Sequence, residues 1–202
     1  MIVPENFSPG HWGWFTLVCY VPDPPSSQLE LLRQAIPGQP KPPLHITILP
    51  PRPLVLSIAE ACDHVAPVVD GVLPFEVDLS DISHFFGTNF LYVDLGNGKE
   101  LICDIHTQLN TGDLSHSELF EFRPHVTLGG PIPEAARLRE KLQIEWIRAH
   151  CTRRLHIEEL VCLWLPPNRN EHWEWDRYRS YGLRHRPPGD GGNESANFLV
   201  AG

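Results

Sequence analysis

Five segments of this chain occur twice. Short β-branched and aromatic runs at 14–21 and 89–95 read as strands. Each is followed by a helix signal: Ser27 with Glu30, and Asn97 with Glu100, have the spacing of capping boxes. Behind them Leu29, Leu32 and Ile36, and then Leu101, Ile105 and Leu109, recur at helical intervals. Further strands read at 44–49 and 125–128. Within 57–69 a helix places Ile58, Ala61, Cys62 and Val65 on one face, and Pro133 opens its counterpart through Leu138 and Leu142. Long strands with period-two stretches close the two sets at 75–84 and 153–164. Paired starts at 14 and 89, 27 and 100, 45 and 125, 58 and 133, and 75 and 153 lie 73–80 residues apart. Ordinary alternation of similar-length elements in an α+β chain is the alternative, but so steady an offset over five elements favours one strand-helix-strand-helix-strand unit per half.

With 202 residues, 42% of them apolar and 20% charged, the chain has room for one domain or two small lobes around a sizeable core. The duplicated region and one extra strand at 173–183 place the domain at 1–184. The tail 185–202, with Pro187, Pro188, Gly189, Gly191 and Gly192, is expected to be disordered. Proline-rich stretches at 22–25, 37–43 and 50–53 read as loops. There is no apolar run of about 18 residues, and no Lys or Arg precedes the apolar stretch near the start, so neither a membrane span nor a secretory leader is expected. Five cysteines (19, 62, 103, 151 and 162) are an odd number without a CxxC pair. Free thiols in a reducing cytoplasm fit them better than disulfides or zinc. Residues 1–130 carry 5 Lys/Arg against 15 Asp/Glu, and 131–202 carry 11 against 10. Duplex DNA, bound by neutralising many phosphates, is therefore excluded as a partner, although one phosphate in a local cleft is not.

The third element of each unit carries the chemistry. Pro43-Leu44-His45-Ile46-Thr47-Ile48-Leu49 aligns with Arg123-Pro124-His125-Val126-Thr127-Leu128-Gly129. Side chains two apart on a strand share a face, so His45 stands beside Thr47, and His125 beside Thr127, while Ile46 and Val126 turn to the core. With 11 His and 7 Thr in 202 residues, chance gives roughly 0.4 such triplets. Two at equivalent places in a repeat favour a functional pair over capped strand ends carrying Thr for its β-propensity. Packed about a pseudo-twofold, the units bring two imidazoles and two hydroxyls to one cleft.

On these motifs the sequence resembles the two-histidine (2H) phosphoesterase superfamily, in its 2′-5′ RNA ligase and cyclic phosphodiesterase group, over about residues 12–183. The resemblance implies an α+β, bilobal fold whose duplicated units carry antiparallel sheets facing a central cleft. It also implies no metal or other cofactor, and action on 2′,3′-cyclic phosphates or 2′-5′ linkages. His45, Thr47, His125 and Thr127 become the catalytic candidates. Relatives often have a basic residue just after the second motif, where this chain has Gly129 and Gly130.

The residue types suit that chemistry on their own terms. In-line opening of a cyclic phosphodiester needs a base for the attacking water and an acid for the departing ribose oxygen. Histidine fills either role near neutral pH, each worth on the order of 10²–10⁴ in rate. Thr hydroxyls can donate to the non-bridging oxygens. Arg123, Arg52 and Lys41 are candidates for the missing phosphate clamp, Arg123 foremost because it precedes His125 by two. Trp12, Trp14, Tyr20, Phe85, Phe86 and Trp164 include candidates to stack on a base. The remaining histidines lack metal-ligand spacing, and His106 reads as structural. The expected protein is a cytoplasmic monomer that hydrolyses cyclic phosphates on RNA ends or small nucleotides, with 2′-5′ ligation as the reverse reaction. A non-catalytic RNA-end or nucleotide binder with the same cleft is the alternative.

Overall fold

The structure, a computed structural model, describes residues 12–38, 42–149, 152–167 and 175–184. The first unit runs β1 (Trp14–Tyr20), α1 (Pro25–Arg33), β2 (His45–Pro53), α2 (Ile58–Asp70) and β3 (Phe75–His84). The second runs β4 (Leu91–Leu95), α3 (Lys99–Leu109), β5 (His125–Gly129), α4 (Ala135–Arg148), β6 (Arg154–Ile157) and β7 (Glu159–Leu165), and β8 (Asp176–Gly182) follows. The expected α+β duplication is present, in a single antiparallel sheet ordered β6-β3-β4-β5-β2-β1-β7-β8. Exchanging β1 with β4, β2 with β5 and β3 with β7 maps the inner six strands onto themselves.

Each unit gives its last strand to the other half. β3 pairs with β4, and β7 pairs with β1. Within the sheet the two halves otherwise meet through one register pair, Ile46 opposite Val126, through which the pseudo-twofold passes. The stretch expected as one strand at 153–164 breaks at Glu158: β6 joins β3 at one edge, while β7 lies beside β1 near the other. A single residue spans at most a few ångströms, so the sheet must curl until its flanks approach.

All four helices pack on one face and repeat the same symmetry. α1 contacts β5 as α3 contacts β2, and α4 contacts β3 as α2 contacts β7. Alternation along the strands sends Phe15, Leu17, Cys19, Ile46, Ile48, Val93, Val126 and Leu128 into one continuous core beneath these helices. The intervening residues, His45 and His125 among them, are left on the concave face.

Local signals were met unevenly. Ser57 and Glu60 form a full capping box at α2. The expected boxes at Ser27 and Asn97 do not form. The N-cap of α1 falls three residues earlier, at Pro24, and Ser27 instead donates from its amide and hydroxyl to Asp23 Oδ1. α3 is capped by Gly98 at φ +87°, where a Cβ would lie 2.0 Å from the Glu76 carbonyl oxygen, and Asn97 donates to Asp78 Oδ2. The strand expected from 173 is described only from Asp176. Cys19, Cys62, Cys103 and Cys162 are free thiols, while Cys151, Lys41 and the tail 185–202 lie outside the described residues. No helix among the described residues is long and apolar enough to cross a membrane.

Candidate active site

Because Ile46 pairs with Val126 antiparallel, His45 stands beside Thr127 and Thr47 beside His125. The four side chains form a rectangle on the concave face, all half-buried. The histidines occupy one diagonal, a neighbour spacing of about 7–8 Å, with the Cβ atoms somewhat closer. This is a tighter arrangement than two walls of a cleft, because both imidazoles grow from adjacent strands of one sheet.

The rings are held alike. His45 Nδ1 lies 2.7 Å from the Pro43 carbonyl oxygen, and His125 Nδ1 lies 2.7 Å from the Arg123 carbonyl oxygen. A carbonyl only accepts, so Nδ1 carries hydrogen in both rings, and each neutral ring presents the Nε2 lone pair. His125 Nε2 lies 3.1 Å from Thr127 Oγ1. Burial, the largest influence, lowers both histidine pKa values, and the carbonyl bonds oppose it. A lowered imidazole pKa disfavours the charged ring in the folded state. The resulting stability is present above the ordinary value of about 6.5 and is lost as pH falls through the lower folded value. The melting temperature should therefore decline between pH 7 and pH 5 by less in the His45→Asn/His125→Asn double variant than in the wild type, in thermal unfolding followed by circular dichroism. An equal decline would mean that other groups set the acid limb.

Aromatic rings flank both histidines. Tyr20 meets His45 edge-on at 6.5 Å between centroids, and Phe85 and Tyr92 meet His125 at 4.9 and 5.2 Å. Tyr20 and Phe85 were stacking candidates. The other four are elsewhere: Trp14 is buried, Phe86 and Trp12 are exposed, and Trp164 donates to the Trp12 carbonyl. Tyr20 also joins Val18, Val161, Leu163 and Trp175 in a small apolar cluster separate from the main core.

Arg123 and Arg52 part company. Arg123, 53% exposed, pairs with Asp94 of β4, and its guanidinium lies 5.4 Å from the Tyr92 ring centroid. The Asp94 bond pushes its pKa up, so it stays charged. Arg52, expected as a substrate contact, is 2% exposed and lies opposite Phe15, a core residue. The two register shifts between β1 and β2 cancel, so Arg52 keeps the facing of Ile46 and Ile48, on the helix-covered side. There its guanidinium donates to the Pro50 and Leu114 carbonyls, Asn110 Oδ1 and Glu118 Oε1. Burial lowers its pKa to about 10, with Glu118 opposing. Glu118 also bonds His106, whose ring stacks on Phe122 at 3.8 Å, so His106 is structural as expected. Arg52 thus anchors the loop that leads into β5.

Gly130 explains why a basic residue cannot follow the second motif here. Its φ of +143° favours glycine, and a Cβ would lie 2.8 Å from Phe90 Cα and 2.9 Å from the Asn89 carbonyl oxygen. Asp94 was not among the sequence candidates. It stands directly opposite His125, as Tyr20 stands opposite His45, an equivalence visible only once the strand registers are known.

Residues 21–165 match the family model described as the 2′-5′ RNA ligase superfamily. No curated protein sequence matches the chain. Among solved structures, E. coli LigT complexed with ATP is similar at TM-score 0.57 and 14% identity, covering 86% of this chain and 99% of that one. E. coli LigT complexed with 3′-AMP gives 0.56 at 13% identity with the same coverage. A protein described as a phosphoesterase gives 0.57 at 14%, also covering 86% and 99%. At these identities the likeness establishes the fold.

Proposed function

This chain belongs to the 2′-5′ RNA ligase superfamily, and we propose that it is a metal-independent phosphoesterase that hydrolyses 2′,3′-cyclic phosphodiesters at RNA ends or on small nucleotides, with 2′-5′ ligation as the reverse reaction. The observation that carries the reading is the pair of imidazoles with Nδ1 tied to a carbonyl and the Nε2 lone pair turned to the threonine side of the ring, diagonal to one another across β2 and β5. One Nε2 takes a proton from water as its oxygen attacks phosphorus. The other, protonated, gives its proton to the ribose oxygen as the P–O bond breaks. Thr47 and Thr127 complete the rectangle and donate to the non-bridging oxygens, where charge gathers. That E. coli LigT is described in complexes with ATP and 3′-AMP supports a nucleotide substrate. An assay of 2′,3′-cyclic mononucleotides, ADP-ribose 1″,2″-cyclic phosphate and 2′-5′ oligonucleotides, each with and without EDTA, tests it. Turnover that survives EDTA is expected. Loss of turnover in EDTA would place a metal in the reaction, and binding without turnover would favour a nucleotide-binding protein with the same cleft.

Arg123 supplies the cation in this reading, in place of the residue that Gly130 excludes. Guanidinium presents paired donors matched to phosphate oxygens, and the Asp94 bond keeps it over the cleft. Arg123→Ala should lower kcat/KM by roughly 10–100-fold, the worth of one or two charge-assisted hydrogen bonds, with Arg123→Lys between. Wild-type kinetics in Arg123→Ala would leave the phosphate to the Thr hydroxyls and backbone amides.

A further inference from the structure

The two histidines share their fold position, their Nδ1 partner and their neighbouring threonine, yet their surroundings differ in charge. Opposite His45 on β1 is Tyr20; opposite His125 on β4 is Asp94. Directly opposed Cβ atoms lie about 4.5–5.5 Å apart, so a carboxylate flanks one imidazole and a phenol the other. Asp94 is fixed in place: its Oδ1 accepts from the Leu95 amide at 3.0 Å, and Arg123 binds its Oδ2. The ionisable groups facing His125 are Asp94 and Tyr92 from β4, Arg123 from the segment just before β5 and His45 from β2. Those facing His45 are Tyr20 from β1, His125 from β5 and Arg33 from α1, the last paired with Glu30. Tyr20 in turn feels Arg177 and Glu159.

Building on the hydrolase reading above, we propose that Asp94 is a positioning residue that keeps the proton of the cleft on His125, making His125 the general acid and His45 the general base. Water loses a proton to His45 Nε2 as its oxygen bonds to phosphorus. The ribose oxygen leaves with the proton from His125 Nε2. The cycle ends with the proton on His45 and His125 neutral, and Asp94 favours its return to His125 through solvent. Two imidazoles this close share their titration, so a modest bias decides which ring is charged when the pair holds one proton. The largest charge effect at His125 is the push of His45, a mutual repulsion that does not by itself choose between the rings; of the remaining charges, Asp94 pulls His125 up more than Arg123 pushes it down, whereas Arg33 pushes His45 further down.

The test is a ¹H–¹⁵N NMR titration of imidazole-labelled full chain, without substrate, in wild type, Asp94→Asn and Arg123→Gln. His125 should titrate above His45 in the wild type. Its midpoint should fall by about one pH unit in Asp94→Asn, the lower end of the effect of a neighbouring opposite charge, and rise in Arg123→Gln. Opposite signs in two variants separate electrostatics from loosened structure. Kinetically, the alkaline limb of kcat/KM for a 2′,3′-cyclic mononucleotide should move down with Asp94→Asn and return with Asp94→Glu. His45 titrating above His125 in the wild type, or a His125 midpoint unmoved by Asp94→Asn, would overturn the assignment. The NMR arm needs no turnover, so failure of the hydrolase reading would appear separately, as a predicted titration order in a protein without activity.

Discussion

Turnover of a 2′,3′-cyclic mononucleotide should fall by on the order of 10²–10⁴ when either His45 or His125 is replaced by alanine. The double variant should lose less than the product of the two single losses. Each imidazole moves one of the two protons of a single displacement, so once one is gone the other has less to act on. Thr47→Val and Thr127→Val should cost less than either His change, since each removes one neutral donor and keeps the β-branched shape of the strand. Steady-state kinetics on purified variants of unchanged melting temperature would decide it. Full activity in His125→Ala alongside an inactive His45→Ala would mean that a single histidine carries the reaction.

Arg52→Ala should destabilise the fold by about 3 kcal/mol, because removing one partner of a buried ion pair leaves the other charge uncompensated. Four acceptors lose their donor at once: the carbonyls of Pro50 and Leu114, Asn110 Oδ1 and Glu118 Oε1. Glu118 keeps the hydrogen bond to His106 Nε2 but loses its guanidinium. For a chain of this size the melting temperature should drop by roughly 6–12 °C, while kcat/KM per folded molecule falls less than tenfold. Arg52→Lys should recover part of the loss, since an ammonium restores the charge without the planar fork of donors. A variant of wild-type stability that bound substrate poorly would instead put Arg52 in the substrate site.

The contrast between Arg123 and Arg52 shows where legibility stopped. Both lie near a motif histidine in sequence. Arg123 is two residues from His125, and its backbone carbonyl holds that ring. Arg52 is seven residues beyond His45, an odd spacing that turns it to the opposite face, because β2 continues as a strand through the proline-rich stretch expected as a loop. Asp94 lay within an expected strand, but nothing local links it to His125, since 31 residues separate them. The helix starts at Ser27 and Asn97 were misplaced for a related reason. Pro25, Asp23 and the close approach of Gly98 to Glu76 outweighed side-chain spacings that resemble a cap.

The sequence by itself determined the elements and the facing of residues within each of them. Repeat offset, apolar periodicity and the two-residue alternation of a strand are properties of a short stretch of backbone, so they fixed the duplication, the helix faces and the pairing of each His with its own Thr. Tertiary structure alone decided which strands lie side by side and in what register. It exchanged β3 and β7 between the halves, joined the motifs through Ile46 and Val126, carried β2 on through Arg52 and set Asp94 against His125. Cross-strand register is chosen by the packing of the whole core, and a slip of one residue would turn every side chain of a strand to the other face.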